Sequence, residues 1–315
     1  MVETKATMRS FQLLLALGAL ALALLTASAF LGGWTQPFEI FSHFRLYYLF
    51  AGAGVGIALL GLKQWRAAAL ATIVVATNAI AIAASVNFNE PSADAEAQPT
   101  RVIWANLLRR QDALEAIAAL ARAEHADIVT LTELPPQRLE AVRRAFPDFA
   151  CFIADADATS PTATLIASRA PCTAGGAAPT TLRPYAAQYA DIGIYRIAAV
   201  HGRPPWNNER TADRDTVNMA GAIVVADHAH GVLVGDFNAT PWSPMMLGLR
   251  RIGLHRASCS GPVTRTWRST QFPYYALPID HVLATSSVRI TSCRVGAAIG
   301  SDHFPLIFDI SPRED

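Results

Sequence analysis

Eight polar side chains beyond residue 100 have the types that activate water and stabilise negative charge: Asn106, Glu133, His201, Asp236, Asn238, Asp280, Asp302 and His303. A hard divalent cation needs oxygen ligands and keeps several of its waters. Glu133, Asp236 and Asp302 can supply carboxylates for one. A histidine beside such an ion can take a proton from water near neutral pH. The Asn238 amide can hold the attacking water or a phosphate oxygen. Arg203, Arg210 and Arg214 are candidate phosphate contacts, with a solvated loop as the other reading of all three.

These residues must be positioned by alternating strands and helices. Apolar or β-branched runs predict strands over 101–107, 127–134, 150–154, 163–168, 186–192, 195–201, 231–238, 279–285, 288–295 and 304–310. Leu114, Ile117, Ala118 and Ala121 recur at helical spacing and predict a helix over 111–125. Further helices are predicted after Pro135-Pro136 through Phe146, over 211–228 and over 243–251. The order implies a layered α/β domain. Asn106, Glu133, His201 and Asp236 fall at strand ends, where open sheets place ligands. On a strand His281 points away from Asp280, which gives it a structural role.

The first hundred residues differ in kind. The chain is 52% hydrophobic and only 16% charged, and few of the charges precede residue 101. Apolar stretches at about 11–31, 46–62 and 67–86 match the roughly 20 residues of a spanning helix. The first could instead be a cleaved signal, with Ala27-Ser28-Ala29 as its site, and the third a buried soluble helix. Aromatic Phe44, Tyr47, Tyr48 and Phe50 suit a membrane interface, and Gly52, Gly54 and Gly56 would allow close packing on a neighbour. This divides the chain into a membrane domain (1–87), a linker (88–100) rich in Pro, Ser and acidic residues, and a catalytic domain (101–312). Lys5, Arg9, Lys63 and Arg66 mark the cytoplasmic side, so a three-span topology places the catalytic domain outside the inner membrane. The four cysteines all lie in that exported part. They form either two disulfides, Cys151–Cys172 and Cys259–Cys293, or four buried thiols. Net charge is +1 and no lysine follows Lys63, so bulk electrostatics give no pull toward nucleic acid.

The motifs carrying the chemistry resemble the endonuclease/exonuclease/phosphatase superfamily, whose members are like pancreatic deoxyribonuclease. They are Asn106-Leu107, Leu131-Thr132-Glu133, Gly235-Asp236-Phe237-Asn238, Ile279-Asp280-His281-Val282-Leu283 and Gly300-Ser301-Asp302-His303-Phe304-Pro305, in the family's order. The resemblance implies a four-layered α/β sandwich of two packed sheets, here preceded by three transmembrane helices. It implies Asn106, Glu133 and Asp302 as metal residues for Mg²⁺, with Mn²⁺ as the alternative ion. His201, Asp236, Asn238, Asp280 and His303 become the catalytic set. Asp236 and Asn238 would orient water and phosphate, and Asp280 would orient His303, which contacts phosphate or acts as general base. His201 would contact phosphate or act as an acid. Thr132 and Val200 depart from the family's commoner Gln and polar residues without replacing a site residue. Pro204-Pro205, Thr240-Pro241-Trp242 and Thr266-Trp267 resemble membrane-bound bacterial members. That layout implies a bilayer partner and a phosphorylated lipid or other phosphoester substrate, cleaved at an ester or pyrophosphate bond. The resemblance also allows an extracytoplasmic nuclease acting on DNA or RNA, and an inactive envelope scaffold. No protein partner is evident. Trp206, Trp242 and Trp267 could line a lipid or sugar site or serve packing.

Overall fold

The computed structural model describes residues 2–34, 38–85, 99–154, 162–180, 186–261, 263–272 and 274–313. Most of the expected linker lies outside the described residues. The chain divides into two compact units, Met1–Val86 with Pro241–Pro244, and the remainder.

The first unit contains helices α1 (Val2–Leu31), α2 (Glu39–Ser42), α3 (Arg45–Gly61) and α4 (Trp65–Ser85). Two helical segments, Thr7–Leu31 and Trp65–Ser85, are long and apolar enough to cross a membrane. Helix α3, at 17 residues, is shorter; at 1.5 Å per residue it reaches roughly 26 Å. Gly52 and Gly56 do bring helices together. A β-carbon at Gly52 would lie 3.2 Å from Val74 and Val75 of α4, and one at Gly56 3.4 Å from Ala71, whereas Gly54 faces open space. A buried polar chain joins three helices: Arg45 donates to Asn78 Oδ1 at 3.3 Å, and Asn78 Nδ2 donates to Thr26 Oγ1 at 2.9 Å. Trp242 is packed into this unit, its indole N–H donating to the Ser42 carbonyl at 2.7 Å.

The second unit is built on two six-stranded sheets. In chain order its elements are β1 (Thr100–Asn106), α5 (Gln111–Ala123), β2 (Ile128–Leu134), α6 (Leu139–Ala145), β3 (Cys151–Ala154), β4 (Ala163–Ser168), β5 (Cys172–Ala177), β6 (Gln188–Ile192), β7 (Tyr195–His201), α7 (Asn208–Ala226), β8 (Gly231–Asp236), α8 (Pro244–Arg251), β9 (His255–Arg256), β10 (Trp267–Arg268), β11 (Ala276–Leu277), β12 (Asp280–Ala284), β13 (Val288–Val295) and β14 (Leu306–Pro312). One sheet has the order β13-β14-β1-β2-β4-β3 and the other β5-β6-β7-β8-β12-β9, while β10 and β11 form a separate ribbon. Each large sheet holds one parallel pair linked by a helix, β1 with β2 and β7 with β8, between antiparallel neighbours.

Strand alternation explains the layers. Val102 and Trp104 of β1 meet Ile197, Val234 and Val282 between the sheets. Ile103 and Ala105 point the other way, onto Leu114, Ile117 and Ala118 of α5. In the second sheet Val232 and Val234 face inward, and Leu233 packs on Val217 and Val225 of α7. The result is the four-layered arrangement, helix–sheet–sheet–helix. The strand β5 was not expected from the sequence: Cys-Thr-Ala-Gly-Gly-Ala has a single β-branched residue and sits at a sheet edge.

Both disulfides form, Cys151–Cys172 and Cys259–Cys293. The first joins β3 to β5, which are edge strands of opposite sheets. The second joins β13, the other edge of the first sheet, to the segment just after β9, the other edge of the second. Each flank of the sandwich is therefore closed covalently. Replacing the Cys259–Cys293 pair with serine should lower unfolding free energy by about 2–5 kcal/mol, read as reduced thermal stability of the full-length protein in detergent. An unchanged transition would show that the flank is held by packing alone.

Candidate functional site

The two parallel pairs present their carboxyl ends at one rim. Asn106 ends β1 and is paired in register with Thr132, the residue before Glu133. His201 ends β7 opposite Asp236, which ends β8, and Asp280 opens β12 opposite Asp236 from the other side. His201, Asp236 and Asp280 thus form a row across the second sheet, and Asn106 with Glu133 stand at the end of the first.

Side-chain distances close the row into one site. Asn106 Nδ2 lies 3.1 Å from Glu133 Oε1 and 3.3 Å from Asp236 Oδ2. His201 Nε2 lies 3.5 Å from Glu133 Oε1 and 3.9 Å from Asp236 Oδ2. His303 Nδ1 bonds Asp280 at 2.9 Å, leaving Nε2 3.5 Å from Asp236 Oδ2. Two sets of donor atoms lie within 4.8 Å of one another: Glu133, His201 and Asp236, and Asp236, Asp280 and His303.

Two expected metal residues make other contacts in this structure. Asn106 Oδ1 accepts the Leu108 N–H at 2.9 Å, so the amide turns its N–H₂, which has no lone pair for a cation, toward the carboxylates. Asn106 here holds Glu133 and Asp236 in place. Asp302 stands outside both donor sets and accepts from Trp267 Nε1 at 2.8 Å. Trp267 therefore positions a site carboxylate.

Local backbone geometry sets the aim of the side chains. Glu133 has φ 51°, at an irregularity in the β2–β4 register that turns it out of the sheet. Asn238 has φ 47°; its N–H donates to Asp236 Oδ1 at 2.9 Å and its Nδ2 to the Gly202 carbonyl at 2.7 Å. Its Oδ1 is left as the acceptor. Gly235 is required by crowding, since a β-carbon there would lie 2.1 Å from the Val200 carbonyl oxygen.

The turn from Asp236 to Ala239 is clamped at four successive carbonyls. Asp236 O accepts from Gly202 N at 2.8 Å and Phe237 O from Asn218 Nδ2 at 3.0 Å. Asn238 O accepts from Arg214 at 3.3 Å and Ala239 O from His281 Nε2 at 2.7 Å. Arg214, expected as a phosphate contact, is fully buried under this turn and paired with Asp215 at 2.6 Å. Arg203 pairs with Asp213, and Arg210 lies 5.1 Å over the exposed Trp206 ring. Thr266, read in the sequence only as part of the Thr266-Trp267 resemblance, accepts through Oγ1 the backbone N–H of Ile279 and Asp280 at 3.2 and 3.1 Å. Arg214 and Asn218 had a signal: they are polar positions four apart on the α7 face that also carries Val217, Gly221 and Val225. Thr266 and Trp267 stood out only through their resemblance to membrane-bound members, which gave no sign of the positioning contacts they make.

Burial controls protonation here. It pushes Asp236 well above the usual carboxylate range, opposed by His303 and reinforced by Asp280. Burial holds His201 below its ordinary value against the pull of Glu133, which leaves a neutral ring. His281 is held neutral, pushed down to about 3 by burial and then by Arg256. His303 is the exception. Burial alone would lower it, but Asp280 and Asp236 together raise it to about 10.

Residues 103–303 match the model of the Endonuclease/Exonuclease/phosphatase family. No curated protein matches the chain. Among solved structures, the 3′ phosphatase NExo from Neisseria, bound to product DNA hairpin, is 15% identical with a TM-score of 0.57, over 67% of this chain and 99% of that one. Humanized D. rerio TDP2 is 13% identical with a TM-score of 0.55, over 68% and 99%. An AP endonuclease from Archaeoglobus fulgidus is 11% identical with a TM-score of 0.54, over 66% and 98%. At these identities the structures attest the fold alone. The family match covers most of the chain and every site residue from Asn106 to His303, so the chain belongs to the endonuclease/exonuclease/phosphatase family and is a phosphoester hydrolase.

Proposed function

We propose that the protein is a membrane-tethered, Mg²⁺-dependent phosphohydrolase that cleaves a phosphoester or pyrophosphate bond of a lipid-linked substrate at the outer face of the inner membrane. The observation that carries the reading is the convergence of Glu133, His201 and Asp236 in a chain that also bears two helices apolar enough to span a bilayer. A tether holds the site beside a two-dimensional pool of substrate and raises its effective concentration. Two disulfides favour the oxidising side of the membrane. Three crossings put the domain there while leaving Lys5 and Arg9 inside, which favours counting α3 as a span.

The donor set fits a hard cation: carboxylate oxygens from Glu133 and Asp236, and a neutral His201 whose ring nitrogen is free of its second proton. When bound, Mg²⁺, or Mn²⁺ in its place, would supply charge to neutralise the phosphoryl oxygens. The chain's own groups do the rest. Asp236, its Oδ2 facing Asn106 and His303, would take a proton from water as the oxygen attacks phosphorus. Asn238 Oδ1 is placed to accept from the same water. His303, protonated and braced by Asp280, can donate from Nε2 to a phosphoryl oxygen, which favours phosphate contact over the general-base role. His201 is neutral and so is poorly suited to act as an acid. A leaving group that is itself a phosphate requires no proton, which suits a pyrophosphate bond.

An extracytoplasmic nuclease is the second reading, favoured by structural neighbours named for DNA substrates. The absence of lysine from the catalytic domain weighs against a grip on nucleic acid.

Full-length protein in detergent should hydrolyse phosphatidic acid or undecaprenyl pyrophosphate with Mg²⁺, and not with EDTA. Glu133→Gln and His303→Ala should each lose on the order of 10³-fold. Turnover of plasmid DNA alone would replace the lipid reading with the nuclease, and silence across lipids and DNA would favour a scaffold. Asp280→Asn removes the carboxylate that raises His303, so the His303 imidazole titration followed by NMR in metal-free protein should move down from about 10. Because the folded value exceeds the ordinary 6.5, the stability gained through this pair is complete below about 6.5 and disappears as pH rises through about 10. The melting-temperature gap between wild type and Asp280→Asn should close over that interval. A gap independent of pH would refute the ion pair.

A further inference from the structure

Arg109 stands beside the site without a function in the family motifs. Its guanidinium Nε lies 3.8 Å from Glu133 Oε2, beyond hydrogen-bond distance, and its side chain is 59% exposed. The oxygen it faces is the one left over by Asn106 and His201, which both approach Oε1.

The base of Arg109 is held rigidly. Leu108 and Arg109 both take left-handed conformations, φ 47° and 57°, unusual for side chains of this size. Four hydrogen bonds hold them there. Leu108 N–H donates to Asn106 Oδ1 at 2.9 Å, and Arg109 N–H to the Glu133 carbonyl at 3.0 Å. Arg110 N–H donates to the Leu107 carbonyl at 2.9 Å, and Arg138 to the Arg109 carbonyl at 2.9 Å. The neighbouring cations are occupied. Arg110 forms a two-pronged pair with Asp112 at 2.6 and 3.0 Å, and Arg138 spends a donor on the backbone. Arg109 thus combines a fixed base, an exposed charged head and one shared carboxylate.

A guanidinium and a divalent cation cannot both draw fully on Glu133, because their charges repel at this range. An anion bridging the two relieves the conflict, and the planar fork of arginine matches two oxygens of one phosphoryl group. We propose that Arg109 is the phosphate-binding cation of the site and that it selects a phosphoryl group carrying two negative charges, a monoester or the terminal group of a pyrophosphate, over a singly charged diester. This rests on the phosphohydrolase reading above and narrows its substrate.

The test is binding to full-length protein in detergent by titration calorimetry, with inorganic phosphate, dimethyl phosphate and Mg²⁺ alone as probes. With Mg²⁺ present, Arg109→Gln should weaken inorganic phosphate by about tenfold or more, the scale of one charge-assisted hydrogen bond, and dimethyl phosphate by less than about threefold. Arg109→Lys should fall between wild type and Arg109→Gln for phosphate. Mg²⁺ alone should bind Arg109→Gln more tightly than wild type, a gain that a merely structural defect would not produce. Equal losses for the two anions, unchanged phosphate affinity, or weaker Mg²⁺ binding in the variant would overturn the proposal. If wild type cleaves plasmid DNA alone, a diester, the lipid reading and the selectivity both fail; if lipid turnover holds while Arg109→Gln weakens both anions equally, the proposal alone fails.

Discussion

Burying like charges together is the constraint on which the site depends. Asp236 and Asp280 are almost fully enclosed, and Glu133 reaches toward them from the other sheet. Carboxylates this close would repel or neutralise one another unless something intervened. Asn106 intervenes between Glu133 and Asp236, with one amide nitrogen facing both. His303 intervenes between Asp280 and Asp236, one ring nitrogen facing each. The resulting arrangement retains a surplus of negative charge at the rim. That surplus attracts a cation, and it explains why the histidine buried beside two aspartates holds its proton while the one at the strand end does not.

Such a cluster demands a backbone that does not yield. The strained Asn238 lies in a turn whose carbonyls are held by α7, β12 and the Gly202 segment, and the carbonyl of the strained Glu133 accepts from the Arg109 N–H. Arg214 and His281 act here as structural donors, and burial deprives them of any direct part in binding. The pattern is preorganisation: the energy is spent in folding, so that little reorganisation remains for the reaction.

The layers were legible because apolar alternation in strands such as Val102–Asn106, and helical spacing in Leu114–Ala121, both report which face is buried. The site motifs were legible because they end those strands. Three features were not. The exposed edge strand Cys172–Ala177 lacks β-branched side chains, so nothing local marks it as a strand. Asn106 reads as a ligand by residue type, and only the Leu108 N–H, whose position depends on two left-handed residues, shows which end of the amide faces the carboxylates. Arg203, Arg210 and Arg214 read alike as phosphate contacts, yet their roles diverge with burial, from a fully enclosed clamp to a stack on an exposed indole.

The disulfides bear on where such a site can operate. A sandwich of two sheets exposes four edge strands, each a place where pairing can begin to open or an outside strand can add. Here the edges are joined two by two, β3 to β5 and β13 to the segment after β9, so neither flank can open without breaking a covalent bond. Thiols in a reducing compartment would not stay joined. The closure suits an oxidising compartment, which agrees with the topology proposed from the basic residues around the apolar helices. Redox chemistry in one unit and charge asymmetry in the other are independent physical arguments, and both support the extracytoplasmic topology proposed above.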